Sequence, residues 1–202
     1  MRILYRNNFN YVKEYDKLLA MKVIVVGAGA SGVVAAINYK RHHLSDDVLI
    51  IEHLDKPLKK ILATGNGKCN LGNDNIDINL YKNPGFAGEI IKNYSYLDLF
   101  ESIGIKTKSI NDLAYPISES AISVKNALLN ATNELKIEIK TEEKLIDYIV
   151  TDKNIEVITN KNHYTANKLF LAGGLLSSPK LGSDGSILEI LKKHNYNVIE
   201  PQ

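Results

Sequence analysis

The chain has 202 residues, with 25 Lys and Arg against 23 Asp and Glu, a net charge of +2 and 45% hydrophobic residues. That length supports one sizeable core, and the hydrophobic content excludes disorder as the general state. The balanced, dispersed charge excludes a nucleic-acid-binding stripe, while the single cysteine excludes an internal disulfide framework and suits a reducing compartment.

Residues 1–20 carry Arg2, Arg6, Lys13, Glu14, Asp16 and Lys17, so they do not read as a secretory signal. No apolar run reaches the length of a membrane span. A cytoplasmic protein with neither a membrane nor a nucleic-acid partner is expected. The first twenty residues read as an extension to a domain at 21–202. Tyr11, Tyr15, Leu18 and Leu19 mark one face of a short helix, a frayed leader is the alternative, and Met21 is a second candidate start.

An apolar run at 23–26 predicts a first strand, which ends at Gly27-Ala28-Gly29-Ala30-Ser31-Gly32. Residues 31–42 follow as a helix whose packing face is Ala35, Ala36, Ile37 and Tyr39. A second strand, 48–52, closes on Glu52. This order is what a dinucleotide fold needs. Gly27 permits the tight turn off the strand, Gly29 leaves backbone open to a pyrophosphate, and Gly32 lets helix and strand pack closely. The helix start, with Ala30 and Ser31, offers free N–H groups and a partial positive charge. Glu52 stands where a carboxylate accepts hydrogen bonds from a ribose diol, and His53 follows it as a residue near the adenosine.

Residues 53–84 read as loop. Two short helices follow, one marked by Phe86, Ile90 and Ile91, the other capped by Ser95, carrying Leu97, Phe100 and Ile103 and stopped at Gly104. A strand at 105–109 and a helix at about 120–135 come next. The period then changes: 137–139, 145–150, 155–159, 163–165 and 169–172 alternate or run apolar as strands do, with turns at DKN and NKN. Asp184 or Ser183 caps a final helix at about 185–194. A meander of three strands stands where a crossover helix joins the strands of an NAD-binding Rossmann fold, which favours FAD. The fold class is α/β, a Rossmann-like FAD/NAD(P)-binding fold with parallel sheet and β-meander.

Four segments in collinear order resemble the HI0933-like flavoproteins, a BaiN-like or aminoacetone-oxidase group of FAD-dependent oxidoreductases. They are VIVVGAGASG at 23–32, KKILATGNGKCNLGN at 59–73, AYPISESAISVKNALL at 114–129 and LFLAGGLLSSPKLGSDGS at 169–186. Four departures stand out. Lys68 replaces a more usual Arg, Asn66 interrupts a glycine run, Gly173-Gly174 follows Ala172 without an intervening Thr, and Ile187-Leu188 replaces a Gly-Tyr pair. The resemblance implies FAD as cofactor, hydride transfer through flavin N5, and reoxidation by NAD(P) or oxygen. It also implies a longer protein with an inserted substrate domain and a returning C-terminal segment, so the chain is expected to be the N-terminal half of a flavoprotein.

The same resemblance makes Gly65, Asn66, Gly67, Lys68, Cys69 and Asn70 candidates for approach to the flavin; composition alone reads them as a loop tip. Ala172, Gly173 and Gly174 become a cofactor-facing turn, against a plain strand–helix turn. Cys69 reads first as a small buried hydrophobe and second as a redox thiol whose pKa a close Lys68 would lower. Nothing in the sequence near His53 orients it. No His, Cys or acidic spacing indicates a metal, and the catalytic residues are unknown. Four further readings stay open: a nucleotide-binding remnant without turnover, one half of a split flavoenzyme, an NAD(P)-binding dehydrogenase domain, against which the meander and the TGNGKCN loop count, and flavin-dependent RNA modification, against which the flat charge balance counts. The substrate is an unidentified small molecule, with NAD(P)H as a candidate electron donor or acceptor.

Overall fold

The computed structural model describes residues 20–93 and 95–199; the expected helix face at Tyr11 to Leu19 lies outside them. In chain order the elements begin with β1 (Lys22–Val26), α1 (Ala30–His42), β2 (Asp47–Ile51) and α2 (Lys59–Leu62). After them come β3 (Gly72–Asn73), α3 (Pro84–Asn93), α4 (Tyr96–Ser102), β4 (Thr107–Ile110) and β5 (Leu113–Pro116). The remainder is α5 (Ala121–Glu134), β6 (Glu138–Lys140), β7 (Leu145–Val150), β8 (Ile155–Thr159), β9 (His163–Ala166), β10 (Lys168–Leu171) and α6 (Ser186–Lys193). Contacts divide the chain into two compact units, one made of the segments up to Pro57 and from Thr132 onward, the other of Leu58–Ala131.

The first unit holds a parallel sheet in the order β10-β1-β2-β6. Val23, Ile24, Val25 and Val26 of β1 are all buried, as a central parallel strand covered on both faces requires. Ile24 and Val26 join Ile51, then Leu145 and Tyr148 of β7, Val157 of β8, Ala166 of β9, and Ile187 and Ile190 of α6 in one apolar cluster. The antiparallel meander β7-β8-β9 and α6 therefore cover one face. Helix α1 covers the other: Val25 lies in register with Phe170, whose ring meets Tyr39 of α1 edge-on at 5.9 Å. Burying each such aliphatic side chain is worth roughly 1.5–3 kcal/mol relative to leaving it exposed.

Several expectations shift in detail. The buried face of α1 is Gly32, Val33, Ala36 and Ile37, turned from the expected set, with Ala35 and Tyr39 only half-buried. That rotation puts the glycine, not an alanine, against the Gly27 backbone. The expected loop 53–84 contains α2, β3 and two short 3-10 turns; the helical turns are held by local hydrogen bonds and β3 by pairing with β5 some forty residues on, and no periodic pattern announces either. The strand expected at 105–109 lies at Thr107–Ile110 and is half of a hairpin. Asn111 and Asp112 connect it to β5 with φ of 51° and 62°, the two left-handed residues that a tight hairpin turn demands. With β3 these strands form the sheet β3-β5-β4 of the second unit. The meander turns fall at DKN and NKN, where the Thr151 and Thr159 N–H groups donate to the Asn154 and Asn162 carbonyls at 2.9 Å.

Candidate functional site

In the first unit, the chain leaves β1 through Gly27, whose φ is +102°. Its N–H donates to the Ile51 carbonyl at 2.7 Å, tying the turn to the end of β2. A Cβ at Gly27 would stand 2.5 Å from the Ala172 carbonyl oxygen, and one at Gly32 only 1.9 Å from the Gly27 oxygen. Both positions are closed to any side chain by backbone. Gly29 differs: a Cβ there would meet nothing within 4 Å, and its φ of −75° is open to any residue. Space, not strain, distinguishes it. Helix α1 starts there without a side-chain cap and without an acid in its first turn, and Ala30 and Ser31 are exposed. Its first N–H groups and positive dipole end are thus available to an anion.

Glu52 is buried just beyond β2. Its Oε2 accepts the Ala28 N–H at 2.7 Å and its Oε1 the Leu54 N–H at 2.8 Å. One carboxylate therefore braces the glycine turn and the following loop, and its oxygens keep lone pairs for further donors. His53 does have an orienting group, contrary to expectation: its Nδ1 lies 3.2 Å from Glu52 Oε1. His53 also lines, with Gly27, Glu143, Gly173 and Ser186, a cavity of about 20 Å³.

Ala172 continues from β10, its N–H donating to the Val26 carbonyl at 2.8 Å. A Cβ on Gly173 would lie 2.4 Å from Ile187 Cγ1, and one on Gly174, at φ +77°, 2.6 Å from Ser183 Oγ. Close packing of α6 and the Ser183 loop accounts for both glycines. The structure thus gathers Gly27, Gly32, Glu52, His53, Ala172 and Gly173 at the carboxyl ends of β1, β2 and β10, where open α/β sheets bind ligands.

In the second unit, Gly65, Asn66, Gly67 and Cys69 have φ between 51° and 84°, so four of the five residues 65–69 are left-handed. The loop is fixed by the Lys68 N–H to the Gly65 carbonyl at 2.9 Å and by Asn70 Nδ2 to the Gly72 carbonyl at 3.2 Å. The Lys68 ammonium is 2.8 Å from Glu119 Oε2, and Lys108 is 2.5 Å from Glu119 Oε1. Those hydrogen bonds, from Lys108 first and Lys68 second, hold the Glu119 carboxyl down to about 2.

The chain matches the HI0933-like protein Rossmann domain over residues 21–201. It belongs to that family. FAD is the cofactor that membership implies. This HI0933-like domain is 36% identical over 170 residues to a 3-dehydro-bile acid delta(4,6)-reductase of Clostridium scindens, covering 82% of the chain and 42% of the relative. It is 25% identical over 183 residues to a ribosomal RNA dihydrouridine synthase of Escherichia coli, covering 87% of the chain and 45% of the relative. The chain thus spans less than half the length of these curated relatives. The crystal structure of Thermovibrio ammonificans THI4 shares the fold, with a TM-score of 0.56 and 10% identity over 94% of this chain and 68% of that one.

Cys69 of the HI0933-like domain is buried. Burial pushes its thiol pKa up, against the Thr64 hydroxyl bond that lowers it, while the Lys68 charge is spent on Glu119. The expected lowering by Lys68 does not occur. The N-cap of α6 is Gly185, which has no side chain to cap it; Asp184, one residue earlier, accepts the Ser186 N–H at 3.0 Å and hydroxyl at 2.6 Å, and pairs with Lys144 at 3.1 Å. Burial works against its charge, yet these donors hold its carboxyl well below the usual range. Among the described residues no group of three or more His, Cys, Asp or Glu is placed to hold a metal ion, and no helix is long and apolar enough to cross a membrane.

Sequence reasoning missed Glu119, Lys108 and Glu143. Glu143 Oε1 accepts from the Thr159 hydroxyl at 2.6 Å, Asn162 Nδ2 at 3.0 Å and the Tyr164 hydroxyl at 2.9 Å, and its N–H donates to the Glu52 carbonyl at 2.9 Å. The meander is thereby tied to the residue expected to hold ribose. Its partners are 16 to 21 positions away, a separation that leaves no local signature. Glu119 likewise draws Lys68 and Lys108 from 51 and 11 positions away, again without a local signature.

Proposed function

We propose that these residues are the FAD-binding portion of a flavin-dependent oxidoreductase. The observation that carries this is the contrast within one turn. Gly27 and Gly32 are closed by backbone, whereas Gly29 opens the uncapped start of α1 to a ligand. A pyrophosphate fits such a cradle, where first-turn N–H groups donate to its oxygens. Glu52, already braced by Ala28 and Leu54, is positioned to accept from a ribose diol, with His53 steadying it. Ala30, Ser31, Ala172, Gly173 and Gly174 complete the contact set in this unit. For Gly65, Asn66, Gly67, Lys68, Cys69 and Asn70 of the other unit, cofactor contact rests on the family resemblance alone.

The bound flavin supplies two-electron hydride chemistry through N5. The chain's own residues bind the cofactor, fix its orientation and set the hydrogen bonds around it. NAD(P)H serves as electron donor or acceptor. The relatives' names point to unlike substrates, a bile acid and a ribosomal RNA. That contrast supports substrate selection by residues outside these 202, and the balanced charge favours a small molecule. Residues 1–20 act as an extension, and 21–202 as a cofactor domain that works in the cytoplasm with an inserted domain and a returning segment supplied elsewhere.

One observation favours the need for such a segment over a self-sufficient module or an inert remnant. Among the described residues β10 pairs only with β1, yet its Leu169, Phe170 and Leu171 read as a central strand. The test is to mix the purified chain with FAD, desalt it, and read flavin absorbance. Retained colour supports a working cofactor module. Colourless protein that regains flavin when the missing segment of a relative is added in trans supports one half of a split enzyme. Failure in both experiments rejects the cofactor reading.

A further inference from the structure

The unit formed by Leu58–Ala131 brings two ammonium groups onto one carboxylate. Glu119, in the turn between β5 and α5, has φ of +47°, a left-handed conformation that an acidic residue rarely adopts and that carries a conformational cost. From there its two oxygens reach Lys68 Nζ at 2.8 Å and Lys108 Nζ at 2.5 Å. Three segments converge on it: the glycine loop, β4 and the β5–α5 turn. One negative charge serves two positive ones, so the cluster is net cationic. The lysine side chains keep 53% and 39% of their exposure, so solvent anions reach them. Two ammoniums that grip separate oxygens of one carboxylate already stand at the spacing that grips two oxygens of a phosphoryl or carboxylate group.

We propose that Lys68 and Lys108 form an oxyanion-binding site, and that Glu119 is its internal occupant, displaced by an incoming phosphoryl or carboxylate group. The site does not require that the chain bind FAD. Lys68 is shared with the cofactor reading, so the test uses small anions, and flavin retention is measured separately. The decisive variant is Glu119→Gly, which removes the competing carboxylate and suits the left-handed backbone, so it keeps the fold. Glu119→Gln serves as the second.

Isothermal titration at fixed ionic strength would compare inorganic pyrophosphate and succinate as ligands of the wild-type chain and both variants. At least one anion is expected to bind tenfold or more tightly to both variants. Adding Lys108→Met to Glu119→Gly should abolish the gain. Preference for pyrophosphate assigns a phosphoryl-bearing ligand, and preference for succinate a carboxylate. No gain for either anion in a variant with unchanged circular dichroism overturns the site, as does a gain that survives Lys108→Met. A chain that gains anion affinity but retains no flavin keeps this site and loses the cofactor reading; flavin retained without anion gain does the reverse.

Discussion

Gly32 and Gly67, in two glycine-bearing loops of this chain, answer to opposite constraints, while Gly27 and Gly65 combine a positive φ with close backbone. In the loop after β1, Gly27 and Gly32 exist because backbone from β10 and from the turn itself occupies the volume a side chain would need. In the loop at 64–70, Gly67 meets nothing within 4 Å and is required by its φ of +84°. The first loop is rigid by packing. The second is set mainly by conformation, with backbone closing only Gly65, where a Cβ would stand 2.9 Å from the Asn70 nitrogen, and is tethered by charge. Glycine content alone does not separate a pre-formed cradle from a hinge-shaped turn; the neighbouring backbone does.

The largest test of that contrast is Gly32→Ala. A methyl group 1.9 Å from a carbonyl oxygen cannot be absorbed by a rotamer change, so the variant should lose about 3 kcal/mol or more, at or beyond the upper end of overpacking costs. Gly67→Ala should lose only about 1–2 kcal/mol, the cost of a left-handed alanine. Urea unfolding midpoints measure both, and equal losses would erase the distinction. Gly29→Ala sharpens it from the other side. Stability should stay within about 0.5 kcal/mol, while FAD retention on desalting falls at least tenfold. A variant that binds FAD normally removes Gly29 from the site.

Acid sensitivity is expected to be smaller. Asp147 pairs with Lys193 and accepts from His194 Nε2 at 2.7 Å. Lys193 first and His194 second hold its carboxyl down to about 2, from an ordinary 3.8. Because the folded value is depressed, the stabilisation is full above the unfolded value and is lost as pH falls through about 2. Glu119 contributes in the same direction through Lys108 and Lys68. Asp147→Asn should therefore flatten the fall in unfolding midpoint between pH 5 and pH 2 without changing its sign. An unchanged slope would show that this pair carries no acid linkage. The smallest effect is at Cys69: iodoacetamide at pH 8 should label it slowly in the native chain and at the rate of an ordinary thiol in urea, since burial both covers it and raises its pKa. Fast native labelling would restore a reactive thiol.

The first loop was legible in the sequence because its constraints are local and periodic. The apolar run, the glycine spacing, the helix and the acid at Glu52 all fall within thirty-odd residues, and the meander announced itself through alternation and turns at DKN and NKN. The role of Glu52 as a brace for Ala28 was not legible, because a side chain's backbone partner leaves no mark on spacing. The second unit was harder. Its strands are short, Asn111-Asp112 is a weaker hairpin signal than a glycine pair, and the lysine–glutamate tether joins positions 68, 108 and 119 across the hairpin. Pairings of that range are written in three dimensions only.

The second unit interrupts the first between Pro57 and Thr132, and this has a consequence for synthesis. Strand β2 cannot meet β6 until Lys140 has left the ribosome, and β1 waits longer still for β10. At chain elongation rates of roughly 5–20 residues per second, the apolar strands β1 and β2 stay without those neighbours for on the order of ten seconds, much of it spent in the synthesis of the interrupting unit. The nascent chain thus passes through an interval in which its most hydrophobic segment is also its least finished. Yield in a host cell should respond to translation speed and to chaperone supply even where the glycine loop is unchanged.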